Sequence, residues 1–125
     1  MSARLGLKFR DPDLLALALV HPSLVNEKGL DRSLCNQRLE FLGDAVLELA
    51  VSTELYTRFP DADEGELTKT RSSLVRRETL ANIARRIDLG SYLFVGKGVE
   101  ITHGREQDSV VSAAFEALIA AIYID

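Results

Sequence analysis

The segment from Asn36 to Phe59 constrains the fold more than any other, because its apolar residues recur every three or four positions along its length. That spacing is the period of an α-helix, and no segment alternates with period two for long enough to predict a strand. Apolar residues lie on nearly all sides of this helix, which is typical of a helix that is buried nearly all round. The chain is therefore predicted to be all-α.

Capping and breaking residues divide the chain into further helices. Asp11 and Pro12 begin a helix that is expected to stop near His21, and Asn36 can cap the central helix, which should end near Arg58 before Phe59 and Pro60. The remaining predictions are a helix from Asp63 to about Val75, an amphipathic helix over 78–90 with Gly90 as its C′ residue, a surface loop over 96–104, and an apolar helix over 108–124.

Length and composition indicate a single globular domain over residues 1–125, since 46% of the 125 residues are hydrophobic. The single cysteine, Cys35, excludes an internal disulfide, and no segment has the length and hydropathy of a signal peptide or a membrane span. We therefore expect a cytoplasmic protein with no membrane partner.

The charges are segregated along the chain, although the net charge of −4 alone argues against a protein that coats nucleic acid. Acidic residues gather before position 67, and basic residues follow them. Cations at these positions could contact phosphates, which would make binding strongly dependent on salt. We call four of them the basic strip: Lys69, Arg71, Arg76 and Arg77.

Three carboxylates, Glu40, Asp44 and Glu116, stand in the middle of the two most apolar helices. Glu40 and Asp44 are one helical turn apart, where like charges repel each other. If the two helices pack together, the three acids converge into a site whose hard oxygen ligands suit Mg²⁺ or Mn²⁺. Beside a basic strip, such a site suits phosphodiester hydrolysis. The spacing alone leaves open the alternative that these acids are partly exposed residues with no ligand.

The segment QRLEFLGDAVL, residues 37–47, closely resembles the ribonuclease III signature ERLEFLGDAVL, and the similarity continues in FPDADEGELTKTRSSLV, LGSYLFVGKG and FEALIAAIYID. The resemblance implies an all-α endonuclease domain that forms a homodimer and binds double-stranded RNA. It also implies hydrolysis that depends on Mg²⁺, with Mn²⁺ as a substitute, and leaves 5′ phosphates and two-nucleotide 3′ overhangs. The chain ends before the point where bacterial members continue into a double-stranded RNA-binding domain, so none is expected within residues 1–125.

The resemblance also assigns roles to individual residues. Glu40, Asp44 and Glu116 match the metal-binding acids of the family, and they are the predicted catalytic residues together with Glu64, which matches a further acid in DEGEL. Phe41 matches the aromatic residue that enters a pocket of the partner subunit.

Two positions depart from the family pattern. Gln37 stands where the signature usually has Glu, and Ala113 stands where the last helix usually has an Asp three residues before its Glu. Two carboxylates at i and i+3 share a helix face and can share a cation. Asp108 lies too far before Glu116 to replace the missing one, so a lower metal affinity is expected. The compact Mini-III branch of the family resembles this chain in lacking that Asp.

Three functions follow from these features. The leading prediction is an Mg²⁺-dependent endoribonuclease specific for double-stranded RNA, supported by the retained acids. The first alternative is a catalytically impaired ribonuclease III-like domain that binds structured RNA without cleaving it, supported by Gln37 and Ala113. The second alternative is a purely structural helical dimer.

Overall fold

A computed structural model describes all 125 residues, and it consists of helices and the turns between them. Val20 and Phe94 form an isolated parallel bridge, and there is no strand. None of the helices is both long enough and apolar enough to cross a membrane. The helices are α1 (Ser2–Leu5), α2 (Pro12–Ala18), α3 (Pro22–Lys28), α4 (Gln37–Arg58), α5 (Glu64–Val75), α6 (Arg77–Arg86), α7 (Lys97–Ile101) and α8 (Asp108–Ile124). The all-α prediction is confirmed.

The predicted helix starts at Asp11 and Asp63 are confirmed, and in both cases the aspartate side chain caps the helix. The Asp11 carboxylate accepts a hydrogen bond from the backbone N–H of Asp13 at 3.0 Å, and Pro12 occupies the first position of α2. The Asp63 carboxylate accepts one from the N–H of Glu66 at 2.8 Å. Each carboxylate satisfies a backbone donor that the first turn of a helix leaves free.

Asn36 precedes α4 as predicted, but its side chain does not cap the helix. The side-chain amide instead donates a hydrogen bond to the backbone carbonyl of Ala18 at 3.1 Å, and the residue is buried. The carbonyl of Ala18 is at the end of α2, where the helix itself supplies no donor. Asn36 therefore ties the end of α2 to the start of α4.

The core is centred on α8, which packs against α2, α4 and α6. Eight residues of α8 are buried, and most of them are small, so the neighbouring helices approach its backbone closely. Its buried residues are Val110, Val111, Ser112, Ala114, Ala117, Leu118, Ala120 and Ala121.

The expectation that α4 is buried nearly all round is wrong. Only Leu39, Gly43 and Leu55 of this helix are buried, whereas the side chains of Phe41, Leu49 and Tyr56 are 82%, 70% and 77% exposed. Within one chain, α4 packs mainly against α8 and α5, and these two helices cover only part of its circumference. The helix therefore presents an apolar face that the rest of the chain does not cover.

Gly90 is not the C′ residue of α6, contrary to the prediction. The helix ends at Arg86, and Asp88 takes a left-handed conformation with φ 55° before a 3₁₀ turn over Leu89–Tyr92 that includes Gly90. A Cβ atom at Gly90 would lie 2.9 Å from the backbone oxygen of Arg105. The glycine is needed because another backbone segment approaches it, not because the chain reverses there.

The segment 96–104 was predicted to be a loop, but it contains α7. The backbone N–H groups of Gly96 and Lys97 donate hydrogen bonds to Ser23 Oγ at 2.8 Å and to the Glu27 carboxylate at 2.6 Å. Both acceptors belong to α3, a helix that the sequence pattern did not predict. Contacts from a distant element therefore satisfy the start of α7, and such contacts leave no local sequence signal.

Candidate active site

A glycine determines how closely α4 and α8 approach each other. A Cβ atom placed on Gly43 would lie 1.7 Å from the backbone oxygen of Glu116, so only a glycine allows this contact. Asp44 is the next residue of α4, and Glu40 lies one turn before it. The close helix contact therefore brings the carboxylates of both helices to one place.

The three predicted metal ligands line a single open pocket of about 380 Å³, which we call the acid pocket. Their convergence, which the sequence predicts only if the two helices pack together, is present in the fold. The residues that line the pocket are Gln37, Glu40, Phe41, Asp44 and Glu116.

The negative charges of the acid pocket are only partly compensated within the chain. Burial raises the pKa of Glu116 to about 8, and a hydrogen bond with Asp44 and the charges of Asp44 and Glu40 add to this effect. Burial also raises the pKa of Glu40, Arg77 opposes this rise, and Asp44 adds to it. Near neutral pH Glu116 therefore retains its proton. A divalent cation would favour the ionised form of all three acids.

The chemistry of these donors fits Mg²⁺, because hard cations prefer carboxylate oxygens. The structure nevertheless contains no group of three or more His, Cys, Asp or Glu side chains that is already placed to hold a metal ion. Glu40, Asp44 and Glu116 share the pocket, and Asp44 and Glu40 act on the protonation of Glu116. Metal binding would therefore require Glu116 to lose its proton and the side chains to turn towards the cation.

Glu64, the fourth predicted catalytic acid, does not join the other three within one chain. It lies in a separate pocket between α4 and α5 that also contains Ser52 and Arg71. Ser52 follows Asp44 by eight residues, which corresponds to about 12 Å along the helix. The role of Glu64 stays a prediction.

The four residues of the basic strip have different surroundings. Arg71 donates a hydrogen bond to Ser52 Oγ at 3.0 Å, and Arg76 lies 3.8 Å from the Glu78 carboxylate in an exposed ion pair. Lys69 is exposed.

Arg77 is also exposed, but its positive charge acts on Glu40 and Glu116. The position of Arg77 in the sequence groups it with the other cations and gives no sign that it lies near the acid pocket.

Phe41 lines the acid pocket on one side and an apolar cleft of about 660 Å³ on the other. Its large exposed fraction is the property that the predicted dimer contact requires. That role stays a prediction. The apolar cleft is lined by Leu14, Leu17, Ser33, Cys35, Gln37, Arg38, Leu39, Phe41, Leu42 and Ile124.

The two departures from the family pattern have different positions in the structure. Gln37 lines the acid pocket, so its neutral amide lies where a carboxylate would add a negative charge. Ala113 lies on α8 three residues before Glu116 and is partly buried. Its methyl group provides no ligand atom.

A family model described as Ribonuclease-III-like matches residues 11–125. The chain belongs to this family. Ribonuclease 3 of Desulforamulus reducens is 54% identical over 126 residues, which cover 100% of this chain and 51% of that protein. Ribonuclease 3 of Dehalococcoides mccartyi strain CBDB1 is 51% identical over 121 residues, which cover 97% of this chain and 51% of that protein. The ribonuclease III-like chain therefore spans about half the length of these relatives.

Solved structures confirm the ribonuclease III domain fold. Two structures of the nuclease domain of ribonuclease III from Campylobacter jejuni are 39% identical in sequence, with TM-scores of 0.87 and 0.89. Each covers 98% of this ribonuclease III-like chain, which spans 80% and 82% of the respective solved chains. The second was described for structural flexibility in a region involved in dimer formation.

Proposed function

We propose that residues 1–125 form the nuclease domain of an Mg²⁺-dependent endoribonuclease that is specific for double-stranded RNA. In this proposal the domain works as a homodimer in the cytoplasm, and it leaves 5′ phosphates and two-nucleotide 3′ overhangs. The observation that supports it most is the contact between Gly43 and Glu116, because it gathers the three acids in one pocket of a ribonuclease III-like fold.

The residues of the acid pocket would have the following roles. Glu40, Asp44 and Glu116 would hold the cation, and Glu116 would give up its proton to do so. A bound Mg²⁺ would supply polarisation of a phosphoryl oxygen and a lower pKa for the attacking water, and Mn²⁺ could replace it. Gln37 adds no charge, so three acids must suffice.

The basic strip would hold the RNA backbone while the acid pocket acts on one phosphodiester. Binding should therefore weaken steeply as salt rises. Duplex RNA has a deep, narrow major groove that side chains do not read, so recognition depends on shape, phosphates and 2′-hydroxyls. A weak sequence preference is expected.

The homodimer would form through the uncovered face of α4. Phe41, Leu49 and Tyr56 are large exposed apolar residues on this helix, and a second copy could bury them. We propose that Phe41 enters the apolar cleft of the partner subunit. The contact would be isologous, since each copy carries both the aromatic residue and the cleft.

The decisive experiment is cleavage of a uniform double-stranded RNA with Mg²⁺ and then Mn²⁺. The chain is compared with a Gln37→Glu, Ala113→Asp version, which restores the family's carboxylates, and with Glu116→Gln, which should be inactive. Glu64→Gln should reduce cleavage less than Glu116→Gln does. Products with two-nucleotide 3′ overhangs from the unaltered chain would establish the activity. Cleavage by the restored version alone would indicate an impaired domain that binds structured RNA.

A further inference from the structure

Arg77 is the first residue of α6, and its position on that helix places it next to the acid pocket. Ala81 and Ala84 follow it by four and seven residues, and both are completely buried in the core cluster that includes Ala114 and Leu118 of α8. Residues at i, i+4 and i+7 share one face of a helix. Arg77 therefore continues the face of α6 that packs on α8. At the other end of α6, Arg85 pairs with Asp108 at the start of α8, so the two helices run antiparallel and Arg77 lies at the end of α6 nearest Glu116.

The guanidinium of Arg77 lies beside the acid pocket but is not held by it. Arg77 stands eight residues before Arg85 on α6, and Glu116 stands eight residues after Asp108 on α8, so the Arg85–Asp108 ion pair sets Arg77 opposite Glu116. Arg77 takes part in none of the four salt bridges of the structure, and its side chain is exposed. A cation in this position can still bind an anion that enters the pocket.

The charges of the acid pocket suggest that Arg77 takes the place of a second divalent cation. Glu40, Asp44 and Glu116 carry three negative charges when all are ionised, and one divalent cation together with Arg77 balances them. A fourth carboxylate at position 113 would bring the total to four negative charges, which two divalent cations balance. Because position 113 is alanine, the acid pocket has enough ligands and negative charge for one divalent cation in addition to the guanidinium of Arg77.

We propose that Arg77 is the second cation of the acid pocket, supplied by the chain itself, and binds a phosphate oxygen of the RNA strand there, beside a single divalent cation. The inference rests on the proposed function, because the metal and the RNA are its ligands. Arg suits this role because its planar fork of donors matches the oxygens of a phosphate. The proposal separates Arg77 from Lys69, Arg71 and Arg76, which would contact the duplex backbone away from the cut.

The first test measures Mn²⁺ binding to the RNA-free chain by electron paramagnetic resonance. One Mn²⁺ per chain is expected, and Arg77→Gln should tighten its binding about fivefold, because a like charge near the cation is removed. The matched control is Arg86→Gln, which removes an exposed cation from the far end of the same helix and should leave the affinity unchanged. Two Mn²⁺ ions of similar affinity, or no effect of Arg77→Gln, would overturn the proposal.

The second test compares cleavage with duplex binding. Under single-turnover conditions with saturating protein, Arg77→Gln should slow cleavage about tenfold to a hundredfold. The Kd for the duplex, measured in Ca²⁺, should rise no more than about twofold, because one phosphate contact is a small part of the total. Arg77→Lys should restore part of the rate. Tighter Mn²⁺ binding together with slower cleavage is a combination that a purely structural role does not produce.

Some results would count against Arg77 alone, and others against the nuclease. Equal losses of duplex affinity and cleavage rate in Arg77→Gln would assign the residue to general backbone binding and overturn the inference. If neither the chain nor its Gln37→Glu, Ala113→Asp version cleaves RNA, the proposed function fails. In that case the Mn²⁺ titration still decides whether the acid pocket binds one divalent cation beside the charge of Arg77. Circular dichroism of every variant excludes misfolding as the cause.

Discussion

Substituting Gly43 by alanine tests whether the contact between α4 and α8 builds the acid pocket. The new Cβ would lie 1.7 Å from the Glu116 backbone oxygen, whereas real Cβ contacts are essentially never under 3.0 Å, so the helices must separate by more than 1 Å. Inserting a methyl group into a packed core typically costs about 1–3 kcal/mol. A clash with backbone belongs at the upper end, and the helix propensity of alanine returns about 1 kcal/mol. We expect Gly43→Ala to lower the free energy of unfolding by about 2 kcal/mol.

The assay is urea denaturation followed by circular dichroism, with Gly65→Ala as the matched control. Gly65 lies in α5, and the nearest atom to an added Cβ, the Asp63 Oδ1, is at a comfortable 3.4 Å. That variant should gain up to about 1 kcal/mol from helix propensity. If Gly43→Ala were as stable as Gly65→Ala, the helices would not be held together at this glycine. In addition, the pKa of Glu116 should fall towards its ordinary value in Gly43→Ala, because separating the helices exposes Glu116 to water and moves Asp44 away.

Three further predictions follow from single residues. Phe41→Ala should weaken the proposed dimer by about 2 kcal/mol or more while leaving the monomer fold intact, and sedimentation velocity that still shows dimers at low concentration would contradict it. Because the pKa of Glu116 is about 8 in the folded chain, above its ordinary 4.5, the stabilising contribution of its protonated form is present below about pH 4.5 and is lost as pH rises through 8. Without metal, Glu116 should therefore make the chain about 1–2 kcal/mol more stable to urea at pH 5 than at pH 9, after allowance for its half-exposed position, and Glu116→Gln should remove that contribution. Asn36→Ala should cost about 1–3 kcal/mol because it leaves the buried Ala18 carbonyl without a donor, and an unchanged urea midpoint would contradict this account.

Local signals were enough to predict the helices that start at Asp11 and Asp63. In both cases the cap and its partner lie within three residues of each other, so the sequence contains the whole interaction. The resemblance to the ribonuclease III signature supplied the family, because eleven consecutive positions with one mismatch are rarely shared by chance. It also identified the acids that the fold brings to one pocket.

Signals that depend on distant contacts were missed or misread. The position of Gly90 in the sequence is typical of a helix C′ residue, yet a glycine is needed there because the backbone oxygen of Arg105 packs closely against it. Asn36 resembles an N-cap, yet its side chain binds the carbonyl of Ala18. The exposed face of α4 was misread because the apolar pattern shows that a surface will be covered, not which molecule covers it.

The acid pocket and the proposed dimer contact share Phe41 and Gln37, since both residues line the acid pocket and the apolar cleft. A partner subunit that covers Phe41 would remove water from the rim of the pocket. Lower polarity strengthens the repulsion among the carboxylates and also their attraction to a cation. The dimer should therefore bind Mg²⁺ more tightly than the monomer. Because the dimer has two acid pockets, reciprocity requires saturating Mg²⁺ to tighten the dimer by the square of the factor for one pocket. Sedimentation velocity in Mg²⁺ and in EDTA measures this factor, and Glu116→Gln should reduce it. Equal dimer dissociation constants in the two buffers would show that the pocket and the interface are independent, despite the residues that they share.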